Sequence, residues 1–458
     1  MNDRAGWDGS GGQIIGPDDP GYDDARGVWN GVIDRRPAAI ARCADDDDVL
    51  AALRFGREAG LTIAVRGGGH NVAGTGTVEG GLVIDLSPMR GVRVDPAGGV
   101  AVVQGGATLH DLDAATQEHG LAAPVGIVSE TGVAGLTLSG GMGWHRRRHG
   151  LSCDNLVSAR VVTAAGEIVD ASADEHPDLF WGLRGGGGNF GIVTSFTFRV
   201  HPVGPDVAVA FVLYPAERGE DVVAGCEAWT AAAPEEVSPL TFYGRVPPVE
   251  AFPAELHGRA FAAVGAVHPV AAEGEDLLRP LRELADPLLD LSDTLPYVAA
   301  QSLLDEDYPK GARYYWKSIN LRGLGDGALA QLERSAAEAP SGLSTVDVWY
   351  QGGAMRRVGA QETAFGDRSS PILIGVEANW EDPADDEVNI AWARGCIADL
   401  GPYSAGGTYL NFPGFLEEGE AQLRDAYGAN LDRLSRVKAT YDPDNVFRVN
   451  QNIAPATA

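Results

Sequence analysis

The chain has 458 residues, more than one compact core accommodates, and its 44% hydrophobic, 22% charged composition is that of a folded chain of two or three domains. A net charge of −29 repels phosphate backbones, so nucleic acid is not an expected partner. No apolar run reaches the roughly 18 residues of a membrane span, and the opening MNDRAGWDGSGGQ lacks the pattern of a secretory leader, so no membrane association and a cytoplasmic location are expected.

In chain order, the acidic run Asp45, Asp46, Asp47 and Asp48 precedes the periodic VLAALRFGREAG, which predicts a helix start rather than a metal site. Cys43, Cys153, Cys226 and Cys396 form no CxxC pair, so neither zinc nor a disulfide framework is expected. LTIAV (61–65) predicts a short strand that runs into Arg66-Gly67-Gly68-Gly69-His70-Asn71. Consecutive glycines let backbone N–H groups converge on an anion, because no Cβ blocks close approach. This is not the dinucleotide fingerprint GxGxxG, since no amphipathic helix follows. His70 on such a loop is placed for contact with a ligand.

GLVIDL, VRVD and VAVVQGG read as strands, and TLHDLDAATQEHG as a helix closed by Gly120. Small residues then run from Thr131, Gly132 and Gly135 through Thr137 and Gly140 to Gly143, leaving room for a flat ligand or for a tightly packed crossover. The basic HRRRH (145–149) reads equally as a solvated turn or as a group able to lower a thiol pKa or steer an anion. It leads into His149-Gly150-Leu151-Ser152-Cys153-Asp154-Asn155. LVSARVVTAAGEIVDAS predicts a hairpin turning near Ala165-Gly166. PDLFWGL, a glycine turn at 185–188 and Asn189-Phe190-Gly191-Ile192-Val193 predict helix, loop and strand.

Pro202 and Pro205 mark a predicted boundary, giving domains at 1–204 and 205–405 and a C-terminal segment at 406–458. Strands are predicted at VAVAFVLY, HGRAFAAVGAV, ARYYWKSINL, STVDVWYQ and PILIGVEANW, interleaved with the helical EGEDLLRPLRELA and GDGALAQLERSAAEA. This pattern predicts an α+β domain with a largely antiparallel sheet. The C-terminal segment reads as an aromatic strand (TYLNF), a charged helix (ANLDRLSRVKATY) and a tail, DPDNVFRVNQNIAP.

Taken together, RGGGHN, TGVAGLTLSGGMGW, HGLSCDNL, DLFWGLRGGGGNFGIVT, YLNFPGF and DPDNVFRVNQNIAP resemble the berberine bridge enzyme-like oxidases of the vanillyl-alcohol oxidase superfamily. The resemblance spans nearly the whole chain. It implies a PCMH-type FAD-binding domain and an α+β substrate domain. It also implies FAD bonded through His70 at the flavin 8-methyl and through Cys153 at C6, with residues 67–71 at the pyrophosphate. Residues 131–143 and 189–193 would line the cofactor, with Asn450 and Asn452 approaching from the tail.

Tyr409 matches the family's catalytic tyrosine, and Glu377, Tyr350 and Gln351 are further candidates for the base. TAFGDR (363–368) departs from the family's TAFPHR-like motif and lacks its histidine. The implied activity is oxidation of a small organic alcohol, with dioxygen as second partner and hydrogen peroxide as product. An amine oxidase of the 6-hydroxynicotine oxidase type, a dehydrogenase that does not use dioxygen, and a scaffold without redox chemistry are the alternatives.

Overall fold

The computed structural model describes residues 9, 11–325 and 327–457, so most of the opening segment, and the reading of no leader there, lies outside it. Near the N-terminus four strands lie side by side in the order Gln13–Ile15, Ala39–Arg42, Leu82–Asp85 and Ile63–Arg66. The last three are parallel, which demands a crossover; helix Asp46–Glu58 supplies one. Its N-cap is Asp45, whose carboxylate accepts from the Asp48 N–H, so the acidic run is a helix start as expected. The carboxylate of Asp48 is itself buried and accepts from the N–H of Gly11 and Ala44.

A second, antiparallel sheet follows, ordered Val92–Asp95, Val100–Gln104, Ile192–Arg199, Leu156–Val162 and Ile168–Ser172. Its last two strands are the predicted hairpin, turned at Gly166 with φ 78°. Helix Leu109–Gln117 starts from a reciprocal capping box between Thr108 and Asp111.

The third sheet is antiparallel throughout. It runs Leu289–Asp290, Asp206–Pro215, Ala260–His268, Leu240–Arg245, Thr345–Tyr350, Ile372–Trp380 and Arg313–Leu321, with Asp293–Pro296 also pairing Asp206–Pro215. The strand at LTFYGR (240–245) escapes the sequence reading. Helices Gly219–Ala232, Ala271–Arg282, Ala328–Ala337 and Asp386–Leu400 pack on one face, where Val222, Leu278, Leu332 and Ala393 meet Val346, Val348 and Val376. The other face turns toward the first lobe. The molecule is α+β, as the resemblance implies.

Two expectations fail. TYLNF is not a strand: the Tyr409 N–H donates to Ser318 Oγ (2.9 Å) and the Phe412 N–H returns to the Tyr409 carbonyl (2.9 Å), which makes a turn. Gly406 and Gly407, both at positive φ, and Pro413 bend the chain on either side. HRRRH is neither a solvated turn nor a thiol activator. Arg146 and Arg147 are buried between the lobes: Arg146 donates to the carbonyls of Tyr350, Ser238 and Pro239, and Arg147 to those of Thr230 and Val237. Arg146 and Arg147 thus form a clamp of buried guanidinium groups that donate to backbone oxygens, with Arg147 Nε left unpartnered.

Beyond the sheet, helices Glu420–Tyr427 and Leu431–Tyr441 return to the first lobe, where Tyr427, Leu434 and Val437 join Leu183 and Phe190. Lys438, wholly buried, ties the tail down through the carbonyls of Asn189 (2.8 Å) and Phe447 (2.9 Å) and the carboxylate of Asp442 (2.5 Å).

Candidate active site

A cavity of about 530 Å³ lies between the glycine loops of the first lobe and the uncovered face of the third sheet. Of the cofactor-binding candidates, Arg66, Gly67, Gly68, Gly69, His70, Asn71, Thr131, Gly132, Gly135, Gly191, Ile192, Val193 and Asn450 line one side of it. Two loops touch backbone to backbone here. A Cβ on Gly68 would lie 2.6 Å from the Gly132 Cα, and one on Gly132 would lie 2.5 Å from the Gly68 nitrogen. Glycine at both positions is what lets the loops close into one wall. Arg66 braces that wall through a buried ion pair with Asp85 (2.9 Å), its neighbour in register.

His70 is the polar centre of this side. Its imidazole stacks on Trp29, centroids 4.0 Å apart, and its Nε2 is buried with no hydrogen-bond partner. Burial lowers its pKa to about 4, so the ring is neutral at physiological pH, with a lone pair free. A histidine that lines a glycine-walled cavity and whose buried Nε2 has no protein partner fits a site that holds a flavin.

Cys153 does not fit in the same way. Its side chain is fully buried, packs among Leu151, Met142 and Tyr409, and is absent from the cavity wall. Its Sγ lies 3.7 Å from Asp154 Oδ1, and burial together with that carboxylate pushes the thiol well above its ordinary range. Asp154 in turn is gripped by Arg368 at 2.6 and 2.8 Å. So the motif around Cys153 and the departing TAFGDR motif meet as a structural ion pair.

Of the remaining cofactor candidates, Thr137, Gly140, Gly143, Asn189 and Asn452 stand behind the wall. Gly140 backs the Tyr409 ring, and the Gly143 carbonyl accepts from Arg146 (3.1 Å). Asn189 binds the tail through the Gln451 carbonyl (3.2 Å) and the Ile453 N–H (3.0 Å). Thr137 Oγ1 and Asn452 Oδ1 are buried without partners.

Tyr409 lines the cavity and is 4% exposed. Its oxygen accepts from the N–H groups of Gly141 and Met142, both at 3.2 Å, and from Asn411 Nδ2 at 2.8 Å. Burial raises its pKa to about 12 while the three donors pull it down. A neutral phenol has two lone pairs, so a set of three donors is matched to a phenolate.

Glu377 also lines the cavity, but Tyr350 and Gln351 do not. Strand Thr345–Tyr350 alternates, so Thr345, Asp347 and Trp349 face the cavity while Tyr350 points under the helices, bonded to the Val223 carbonyl and the Thr241 hydroxyl at 3.0 Å each. Gln351 donates to Asn320 (3.2 Å) in a separate recess. The sequence reading missed Trp29, Tyr308, Trp316 and Asp347. For Asp347 a signal existed: a lone carboxylate inside the apolar run STVDVWY needs a reason to be there.

Residues 37–172 match the FAD binding domain family, and residues 408–454 match the berberine and berberine-like family. The chain is 33% identical to the FAD-linked oxidoreductase YgaK of Bacillus subtilis, covering 97% of each chain. It is 31% identical to the (R)-6-hydroxynicotine oxidase of Paenarthrobacter nicotinovorans, again covering 97% of each. Its fold matches the crystal structure of the xylooligosaccharide oxidase from Myceliophthora thermophila, obtained with xylobiose, at a TM-score of 0.84 and 26% identity over 97% of each chain. Among the described residues no helix is long and apolar enough to cross a membrane.

Proposed function

Because the chain belongs to the berberine and berberine-like FAD-linked oxidoreductases, we propose that it is an oxidase carrying FAD through a single covalent bond to a ring nitrogen of His70. The observation that carries this reading is the buried, unpartnered Nε2 of His70 on the cavity wall. Cys153, walled off and protonated, takes no part.

Bound FAD would supply a two-electron acceptor for a hydride, with dioxygen as the terminal oxidant and hydrogen peroxide as product. The chain's own residues do the rest. The loops at 67–71, 131–135 and 191–193 hold the cofactor by close backbone approach. The sheet face opposite seats a substrate whose reacting carbon bears a hydroxyl or amino group. Tyr409 accepts the proton from that group at its oxygen, where Gly141, Met142 and Asn411 stabilise the charge.

The test is retention of flavin after denaturation. Fluorescence in a denaturing gel is expected from the wild type and from Cys153→Ala, whose absorption spectrum stays unchanged, and is expected to vanish in His70→Ala. Flavin in the supernatant of the denatured wild type overturns the linkage. A shifted spectrum in Cys153→Ala restores the second bond.

A further inference from the structure

The sheet face of the cavity carries two carboxyl groups with no cation beside them. Asp347 and Glu377 are 4% and 3% exposed and stand on adjacent strands. Asp347 lies in register with Gly375, and Glu377 with Thr345, so the two acids are diagonal neighbours on one face. Gly375 contributes no side chain between them, and each carboxyl alters the titration of the other. Tyr308 donates its hydroxyl to Glu377 Oε2 at 2.7 Å.

Two carboxylates in contact inside a protein cannot both ionise. Burial raises both groups; Asp347 raises Glu377 further, while hydrogen bonding from Thr345 and Glu377 holds Asp347 down to about 7, and no Lys, Arg or His offsets either shift. The other titratable groups nearby, Tyr308, Tyr314 and Asp307, are neutral or acidic. Near neutral pH the pair therefore holds at most one negative charge, with Glu377 keeping its proton.

What surrounds the pair is aromatic. Trp316 pairs with Glu377 across the sheet, Trp349 follows Asp347 on the same face, and Phe412 lies over Gly375 beside Asp347. Phe412 also meets the Tyr409 ring edge-on at 5.3 Å, so one ring separates the pair from the tyrosine oxygen's side chain. The indole N–H of Trp349 is buried without a partner. The cavity lining also holds Glu306, Asp307 and Glu381, against Arg245 and against Arg66, which is already paired with Asp85.

A buried monoanion needs a counter-charge, and aromatic faces favour a cation. We infer that Asp347 and Glu377, sharing one proton, form a subsite for the cationic nitrogen of an amine- or amidine-bearing substrate, held against Trp316, Trp349 and Phe412. This rests on the oxidase reading of the same cavity and narrows its substrate class to organic monocations with an apolar body.

The experiment uses the flavin-loaded protein and a matched pair of probes, benzamidine and benzamide, which share shape and differ in charge. Isothermal titration is expected to show benzamidine binding at least about tenfold tighter, a difference of roughly 1.4 kcal/mol. The double variant Asp347→Asn/Glu377→Gln keeps the shape and removes the charge. It is expected to abolish the preference while benzamide affinity and the flavin spectrum stay as in the wild type. Equal binding of the two probes by the wild type, or a preference that survives in the double variant, overturns the inference. If cellobiose bleaches the covalently held flavin anaerobically while benzamidine does not bind, the oxidase reading stands and the cation subsite falls. If benzamidine binds through the pair but no flavin stays with the denatured chain, the subsite stands and the covalent reading falls.

Discussion

The imidazole of His70 lies nearly flat against the indole of Trp29, with centroids 4.0 Å apart and planes 17° from parallel. The same indole stacks on Tyr314, 3.7 Å away, and its N–H donates to the Tyr308 carbonyl at 2.9 Å. Trp29 thereby fixes the ring proposed to carry the cofactor to strand Arg313–Leu321, whose Tyr314 and Trp316 line the cavity.

Trp29→Ala is expected to cost about 3–5 kcal/mol in denaturant unfolding, as for other buried tryptophans. It should also lower the flavin bound per chain after acid precipitation, because an unsupported imidazole spends less time in position. Trp29→Phe keeps a stacking face and is expected to recover most of both.

Tyr409→Phe is expected to reduce turnover by about 10²–10⁴-fold, the usual worth of a positioned base, with covalent flavin content unchanged. Burial holds this phenol up at about 12, so activity should rise with pH across the neutral and alkaline range. Asn411→Ala removes one donor to the phenolate. It should shift that rise to higher pH and slow the reaction at any pH below it, which a rate–pH profile reads directly.

Acid should destabilise the fold through buried neutral histidines. His145, fully enclosed, has its pKa lowered to about 3, and His149 and His201 are lowered to about 3 and about 4, in each case chiefly by burial. The unfolded chain binds these protons near pH 6.5, so their contribution is complete above that pH. It is lost as pH falls toward 3, at about 1.4 kcal/mol per pH unit for a fully buried group. Chemical denaturation at pH 7.5 and 5.0 should show a smaller drop in His145→Leu than in the wild type.

Lys438→Met leaves the Asp442 carboxylate buried without its partner and is expected to cost about 3–5 kcal/mol. The double variant Lys438→Met/Asp442→Leu should recover part of that loss, measured by the denaturation midpoint.

The loops around the cofactor were legible because close backbone approach leaves a trace in composition: Gly68 and Gly132 cannot be anything larger. The helix cap at Asp45 and the hairpin at Gly166 were legible for similar local reasons. The face a strand residue adopts was harder. Thr345–Tyr350 is covered on both sides, so no alternation of polarity told Tyr350 from Trp349, and Tyr350 was placed on the wrong side. Cys153 shows the limit of motif reading, since a cysteine beside a cofactor loop and one behind it have the same neighbours in sequence. The acid pair was half legible. Glu377 was assigned to the cavity, but only the register of two strands far apart in sequence brings Asp347 to it. The alcohol substrate expected from a tyrosine base now competes with the charge of that wall.

Asn450 and Gln451 line the same cavity as His70, and Asn189 and Lys438 hold that tail in place. The pocket is therefore built from both halves of a long polypeptide, and it stays open-sided on the ribosome until synthesis has passed residue 453. A chain that displays the RGGGHN loop without this tail would lack one wall of the pocket and could not enclose a cofactor there.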